Sequence, residues 1–286
     1  MRERFERCVI VGTGLIGASL GGAGKKRGLF SHVVGCGRSI ENLKLAEQRG
    51  LIDEARTDTF KALEGADLVV VATPVFTAVS QLHELAEHAP ETAVFTDVGS
   101  VKQPILTEAR RRGLVSRFIG AHPLAGKAET GAAAADADLF RGRRVVLTPE
   151  ADTPAELVAE MQHLWTSVEA EVSVMEAADH DAVLATSSHL PQMIAFALAA
   201  TADAAVMRDE VVKLIAGGFR DTTRLSSSDA AMWIDIARLN REAIVDAMDE
   251  FSMVWDDLRD AVADRDDAAM RTIIMASQKL RREIAG

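Results

Sequence analysis

One short stretch limits the fold more than any other. Cys8 to Val11 is an apolar, β-branched run of strand length, it meets Gly12-x-Gly14-x-x-Gly17, and helical spacing then follows to Arg27 and Gly28. Gly12 permits a tight turn, Gly14 lets a pyrophosphate approach the backbone, and Gly17 lets the helix pack closely on the strand. The unpaired N–H groups and positive dipole end of the helix then favour an anion. The expectation is a dinucleotide held by Gly12, Thr13, Gly14, Leu15, Ile16 and Gly17.

Strand and helix signals alternate after this turn. His32 to Gly35 reads as a strand and Ile40 to Arg49 as a helix ending at Gly50. The near-continuous apolar run Ala66 to Ala72 reads as a strand buried on both faces, ending at Thr73-Pro74. Val75 to His88 is helical, Ala93 to Asp97 a strand, Lys102 to Gly113 helical, and Arg117 to Gly120 a strand leading into Ala121-His122-Pro123. Another helix (Pro154 to Ser167) and strand (Glu171 to Met175) follow. This alternation predicts an α/β unit of the Rossmann type, a doubly wound parallel sheet. Its ligand belongs at the carboxyl ends of the strands, so Thr73, Pro74 and Asp97 are expected beside the cofactor.

From about Glu176 the alternation stops, and the rest has helical apolar spacing with few breakers. Ile194 to Ala200 is apolar on nearly all sides, as in a helix covered by other helices or by another subunit. The expected domains are therefore 1–172, binding the dinucleotide, and 173–286, an all-α unit for substrate and homodimer formation.

Composition narrows the partners. A net charge of −11 is the wrong sign for a nucleic-acid surface. No signal peptide is evident before the first strand, and no uncharged apolar stretch of about 18 residues is evident, so a cytoplasmic protein without a membrane partner is expected. Cys8 and Cys36 both fall in predicted strands and read as buried free thiols. No metal site is expected.

The second strand usually ends on an acid that binds the adenosine ribose; here the chain reads Gly35-Cys36-Gly37-Arg38-Ser39. Arg38 and Ser39 suit a 2′-phosphate, which favours NADP, with NAD as the alternative. The plainer reading makes Arg38 a solvated charge and Ser39 the N-cap of the next helix.

Polar residues cluster where a nicotinamide should lie: Asp97 and Ser100 with Lys102, then His122, then Ser188, His189 and Gln192 with Arg224 downstream. A histidine can take the proton that oxidation of an alcohol releases. Ser100 could bond that imidazole or the substrate hydroxyl, or merely cap the helix beginning near Lys102.

Together these words resemble the prephenate/arogenate dehydrogenase (TyrA) family over essentially the whole chain. The signposts are Val11 to Leu20, Thr96 to Lys102, Gly120 to Gly126, Ser188 to Pro191, and Gly217 to Arg224. The resemblance implies oxidation of prephenate or arogenate with loss of carbon dioxide, hydride passing to the nicotinamide. It implies His122 as the base, Ser100 as its assistant, and Arg224 on a substrate carboxylate. A guanidinium suits that role because it donates two parallel hydrogen bonds and stays charged. Ser188, His180 and Trp233 match positions lining the substrate pocket. Trp233 reads equally as a core or interface residue, and the Ser188 hydroxyl as one returning to its own helix.

Two departures bear on the substrate. Prephenate-specific members often carry a second histidine four residues after the pocket serine, where this chain has Gln192, an amide able to donate or accept. After Gly126 the chain reads Lys127-Ala128-Glu129 where many members have a hydroxyl residue and an acid. Loss of the histidine points toward arogenate or toward use of both substrates, and some arogenate-using members also have Ala at the position of Ala128. Neither a fused mutase nor a regulatory domain is expected, which would put any inhibition by tyrosine at the active site. Rival readings are a hydroxyacid or imine reductase relying on a helical lysine, for which Lys213 is the candidate, a catalytically silent nucleotide sensor, and an amino-deoxyprephenate dehydrogenase.

Overall fold

The computed structural model describes residues 2–127 and 129–285; Ala128 lies outside them. The first unit runs β1 (Phe5–Val11), α1 (Leu15–Lys26), β2 (Phe30–Cys36), α2 (Ile40–Gln48), β3 (Glu54–Arg56), α3 (Thr59–Leu63), β4 (Leu68–Val71) and α4 (Val75–His88). It continues through β5 (Val94–Asp97), α5 (Gln103–Arg111), β6 (Phe118–Pro123), β7 (Arg144–Thr148), α6 (Ala155–Ser167) and β8 (Glu171–Val174). The eight strands form one sheet in the order β3-β2-β1-β4-β5-β6-β7-β8.

Strand alternation explains the layers. Along β1, Cys8 and Ile10 face one apolar cluster together with Leu20, Leu43 and Trp165, while Val9 and Val11 face another with Leu82, Phe95 and Leu106. Both faces of a parallel strand are thereby buried, so its sequence reads as a continuous apolar run. The order reverses between β1 and β4, whose last residues Val11 and Val71 are paired. The crevice of such a sheet opens at that reversal, and the Gly12 turn and Thr73-Pro74 flank it.

Two features differ from the expectation. β3 is short and polar, and α3 spans only five residues, so both escape periodicity. Arg144–Thr148 is an unforeseen strand that runs antiparallel to β6, although β8 is again parallel to β7. The chain reaches β7 through turns rather than a crossover helix, so it returns in the opposite sense. The expected division at 172/173 falls inside β8.

The remaining chain is helical: α7 (Ala177–Leu184), a wide π turn (Ala185–His189), α8 (Leu190–Asp203), α9 (Arg208–Leu214) and α10 (Gly217–Thr223). A 3-10 turn (Arg224–Ser227), α11 (Ala230–Leu239), α12 (Arg241–Ala263) and α13 (Asp267–Ala285) complete it. Pro191 has no N–H and its ring crowds the preceding turn. The helix answers with the π turn, in which the Leu190 N–H reaches back to Ala185 O.

α7, the π turn and α8 form one helix of 27 residues, long and apolar enough to cross a membrane by length and composition. That differs from the expectation of no such stretch. Four of its polar side chains, His180, Asp181, His189 and Gln192, are buried and committed to intramolecular hydrogen bonds, while most of the rest of the helix is half-buried or exposed in the single chain. A small cluster of Val75, Val101, Ala185, Ile236, Ile244 and Ala247 joins it to the carboxyl edge of the sheet.

Candidate active site

The glycine turn is built as its sequence implies. Gly12 sits at φ +102°, and a Cβ there would lie 2.7 Å from the Ala72 carbonyl carbon. A Cβ on Gly17 would lie 2.2 Å from the Gly12 carbonyl oxygen, so helix–strand contact requires that glycine. At Gly14 a Cβ would meet nothing within 4 Å, so no protein atom demands glycine there. Open space at Gly14, beside an α1 N-terminus without a side-chain cap, fits a pyrophosphate approaching the backbone.

Ser39 is the N-cap of α2, accepting from Asn42 N at 3.2 Å, and its hydroxyl donates to the Glu41 carboxylate at 3.1 Å. That carboxylate is held below its usual range by a backbone hydrogen bond first and the serine second. Arg38 beside it is exposed, with no ion pair among the described residues. Thr13 is buried and meets Asn42, whose amide donates to its carbonyl at 2.6 Å.

At the edge of β5 the structure corrects one expectation. Asp97 is fully buried, and its carboxylate is committed to partners within the protein. Its carboxylate takes a hydrogen bond from Gly99 N at 2.8 Å, another from Ala121 N at 3.3 Å, and an ion pair with the buried Lys102 Nζ. That ammonium also donates to Ala121 O at 2.8 Å. Gly120 makes room for this pair: a Cβ there would lie 2.4 Å from the Thr148 hydroxyl and 3.4 Å from the Lys102 stem.

His122 follows on β6, 9% exposed. Its Nδ1 lies 2.8 Å from His180 Nε2, and His180 Nδ1 lies 2.7 Å from Asp181 Oδ1. Burial, then the Lys102 cation, then the neighbouring His180 and His189 hold the His122 imidazole well below its ordinary pKa. His122 is neutral near pH 7 and able to accept a proton. Its Nε2 has no partner among the described residues.

His180 departs from the expected pocket-lining role: it is wholly buried behind His122, with both ring nitrogens engaged. Sequence reading missed Asp181, whose two oxygens accept the Lys102 and Gln103 N–H groups, each at 2.8 Å. It thereby caps α5, so Ser100 is not the cap and its hydroxyl has no partner among the described residues. Nothing local in the sequence links Asp181 to α5, which lies 78 positions away.

Gln192 also departs from the expectation. It is buried, and its amide donates to Leu225 O at 2.7 Å, clamping the 3-10 turn that begins at Arg224. Arg224 itself is exposed. Ser188 is half-buried on the π turn; the hydroxyl that returns to the helix is that of Ser187, to Val183 O at 2.7 Å. Trp233 stands edge-on to His189, centroids 5.9 Å apart, with its indole N–H buried and unpartnered. Asn240, also missed, donates to Asp181 O at 2.8 Å and lies 3.2 Å from His189 Nδ1. Burial pushes the pKa of His189 down to about 4. No hydrogen bond joins Arg224, Ser188 or Trp233 to His122.

Comparison with known proteins agrees with this layout. Residues 20–174 match the family described as prephenate dehydrogenase, nucleotide-binding domain, and residues 176–276 match prephenate dehydrogenase, dimerization domain. A prephenate dehydrogenase of Bacillus subtilis (strain 168) is 34% identical over 270 residues, 93% of this chain and 72% of that protein. The crystal structure of prephenate dehydrogenase from A. aeolicus, in complex with hydroxyphenyl propionate and NAD+, superposes with a TM-score of 0.92 at 29% identity, covering 98% of each chain. The Synechocystis arogenate dehydrogenase superposes with a TM-score of 0.84 at 30% identity, covering 97% of this chain and 99% of that one.

Proposed function

The chain belongs to the prephenate dehydrogenase family, and from that premise we propose how its own residues divide the work. It is a nicotinamide-dependent dehydrogenase of tyrosine biosynthesis, catalysing the oxidative decarboxylation of prephenate or its amino analogue arogenate. The products are 4-hydroxyphenylpyruvate or tyrosine, carbon dioxide and reduced nicotinamide.

In our reading the turn Gly12–Gly17 and the α1 N-terminus hold the pyrophosphate, with Thr73 and Pro74 lining the crevice. A nicotinamide, when bound there, would supply the hydride acceptor. His122 Nε2 takes the ring-hydroxyl proton as that hydride leaves, and Ser100 orients the hydroxyl. Arg224 pairs with a substrate carboxylate, and Ser188 and Trp233 shape the pocket around the ring. Aromatisation drives the reaction, so orientation and one proton acceptor are the protein's main contributions. The observation that carries this reading is a buried, neutral His122 whose Nε2 alone is uncommitted.

We assign NADP as the preferred dinucleotide on the strength of the exposed Arg38 guanidinium, with NAD as the alternative. The sheet unit serves the cofactor and the helical unit, from about residue 173, the substrate. A homodimer is supported by apolar side chains left exposed on α12 and α13, among them Met253, Val254, Trp255, Met275 and Leu280. A cytoplasmic location completes the reading. Initial rates with prephenate and with arogenate, each with NAD and NADP, test it directly. Turnover in one or more of the four combinations is expected; inactivity of folded protein in all four would sink it.

A further inference from the structure

We propose that His180, itself held by Asp181, is the positioning residue of the base: a buried Asp181–His180–His122 chain fixes the proton of neutral His122 on Nδ1 and presents the Nε2 lone pair to the substrate. The assignment follows from which atoms can donate. A carboxylate accepts only, so at 2.7 Å from Asp181 Oδ1 the His180 Nδ1 must carry the proton. With a single proton on His180, held on Nδ1, its Nε2 is a lone pair that at 2.8 Å can only accept, so His122 Nδ1 is the donor. His122 Nε2 is left as the basic atom.

The far end of the chain is anchored by hydrogen bonds. Asp181 accepts from the Lys102 and Gln103 backbone, and its own carbonyl accepts from the Asn240 amide. His180 is fully buried, and Asp181 and Asn240 are 3% and 6% exposed. The remaining charged and titratable groups around His122 come from other elements: Lys102 paired with Asp97 at the edge of β5, and His189 on the π turn. None of these specifies the tautomer. Without His180 the neutral ring could place its proton on Nε2 and lose the acceptor. During turnover one O–H bond breaks on the substrate and one N–H bond forms at His122 Nε2. The resulting imidazolium keeps its Nδ1–H directed at His180 Nε2, and no further transfer is needed. His122 lies on β6 and His180 on α7, so docking of the helical unit on the sheet sets the protonation geometry of the base.

The proposal rests on His122 as the base, and its test separates the two. His180→Phe fills the site without an acceptor, whereas His180→Gln restores an oxygen able to accept from Nδ1–H. The Phe variant should lose about 10- to 100-fold in kcat with KM and dinucleotide Kd little changed. Its kcat–pH profile should shift, and the Gln variant should recover much of the loss. A Phe variant with wild-type kcat and pH profile overturns the proposal. Should the Phe variant not fold, 15N spectra of histidine-labelled wild type decide, the His122 signals being identified by their loss in His122→Asn. Neutral His122 protonated on Nδ1 is expected, and protonation on Nε2 overturns the chain. That spectrum needs no turnover, so a failure of the base assignment, seen as full activity in His122→Asn, stays distinguishable from a failure of the relay.

Discussion

His122 and His180 meet nitrogen to nitrogen at 2.8 Å, although 58 positions separate them and they belong to the sheet and helical units respectively. The contact commits one nitrogen of the base and leaves the other for chemistry. Replacing His122 by Asn should lower kcat by about 10²–10⁴-fold, the usual cost of losing a general base, with dinucleotide Kd unchanged. Arg224→Ala should instead act mainly on KM; steady-state kinetics beside a nucleotide titration separate the two roles.

The glycine turn predicts two opposite outcomes. Gly14→Ala meets nothing in the protein, so stability should stay within about 0.5 kcal/mol while dinucleotide binding weakens by about tenfold or more, about 1.4 kcal/mol. Gly17→Ala drives a methyl to 2.2 Å from the Gly12 carbonyl oxygen and should destabilise by about 1–3 kcal/mol. Urea melts and nucleotide titrations of both variants check this, and equal stability losses would contradict it.

The Lys102–Asp97 pair is fully buried. Lys102→Met leaves a carboxylate uncompensated in the interior and should cost about 3–5 kcal/mol. Adding Asp97→Asn should return part of that loss, since the amide still accepts from Gly99 or Ala121. Denaturant midpoints across the double-mutant cycle measure the coupling; simple additivity would refute a paired role.

Stability should depend on pH through His122 and His189. Both have folded-state pKa values below the ordinary imidazole value, His122 well below and His189 at about 4. As pH falls the unfolded chain takes up these protons first, so ∂ΔG/∂pH is positive in this window. The stabilisation is whole above about pH 6.5 and is lost progressively toward pH 4 in the case of His189. Thermal melts between those limits should show Tm falling with pH, and less steeply in His189→Asn.

Cofactor choice rests on Arg38 with Glu41 against it. Arg38→Ala should weaken NADP by about tenfold and leave NAD unchanged, while Glu41→Gln should tighten NADP by removing a carboxylate 3.1 Å from the Ser39 hydroxyl. Equal effects of Arg38→Ala on both dinucleotides would refute the 2′-phosphate contact.

The sequence by itself determined most of what depends on neighbours along the chain. Strand and helix periodicity, the Gly12–Gly17 turn and the placement of His122 after a strand are short-range properties, set by sterics and by alternation of buried faces. The Arg144–Thr148 run of β7 carries a local strand signal that sequence reading missed, but its antiparallel sense was not legible, because nothing local distinguishes a strand that returns by turns from one that crosses over. What a polar side chain does at the site was decided by tertiary contacts. Asp97 and Gln192 carry groups suited to ligands, yet folding spends both on Lys102, backbone N–H groups and Leu225 O. Asp181 reads as an ordinary helical acid until α7 docks on α5. A buried polar group must find a partner, and which partner is near depends on how distant segments pack rather than on the residues beside it.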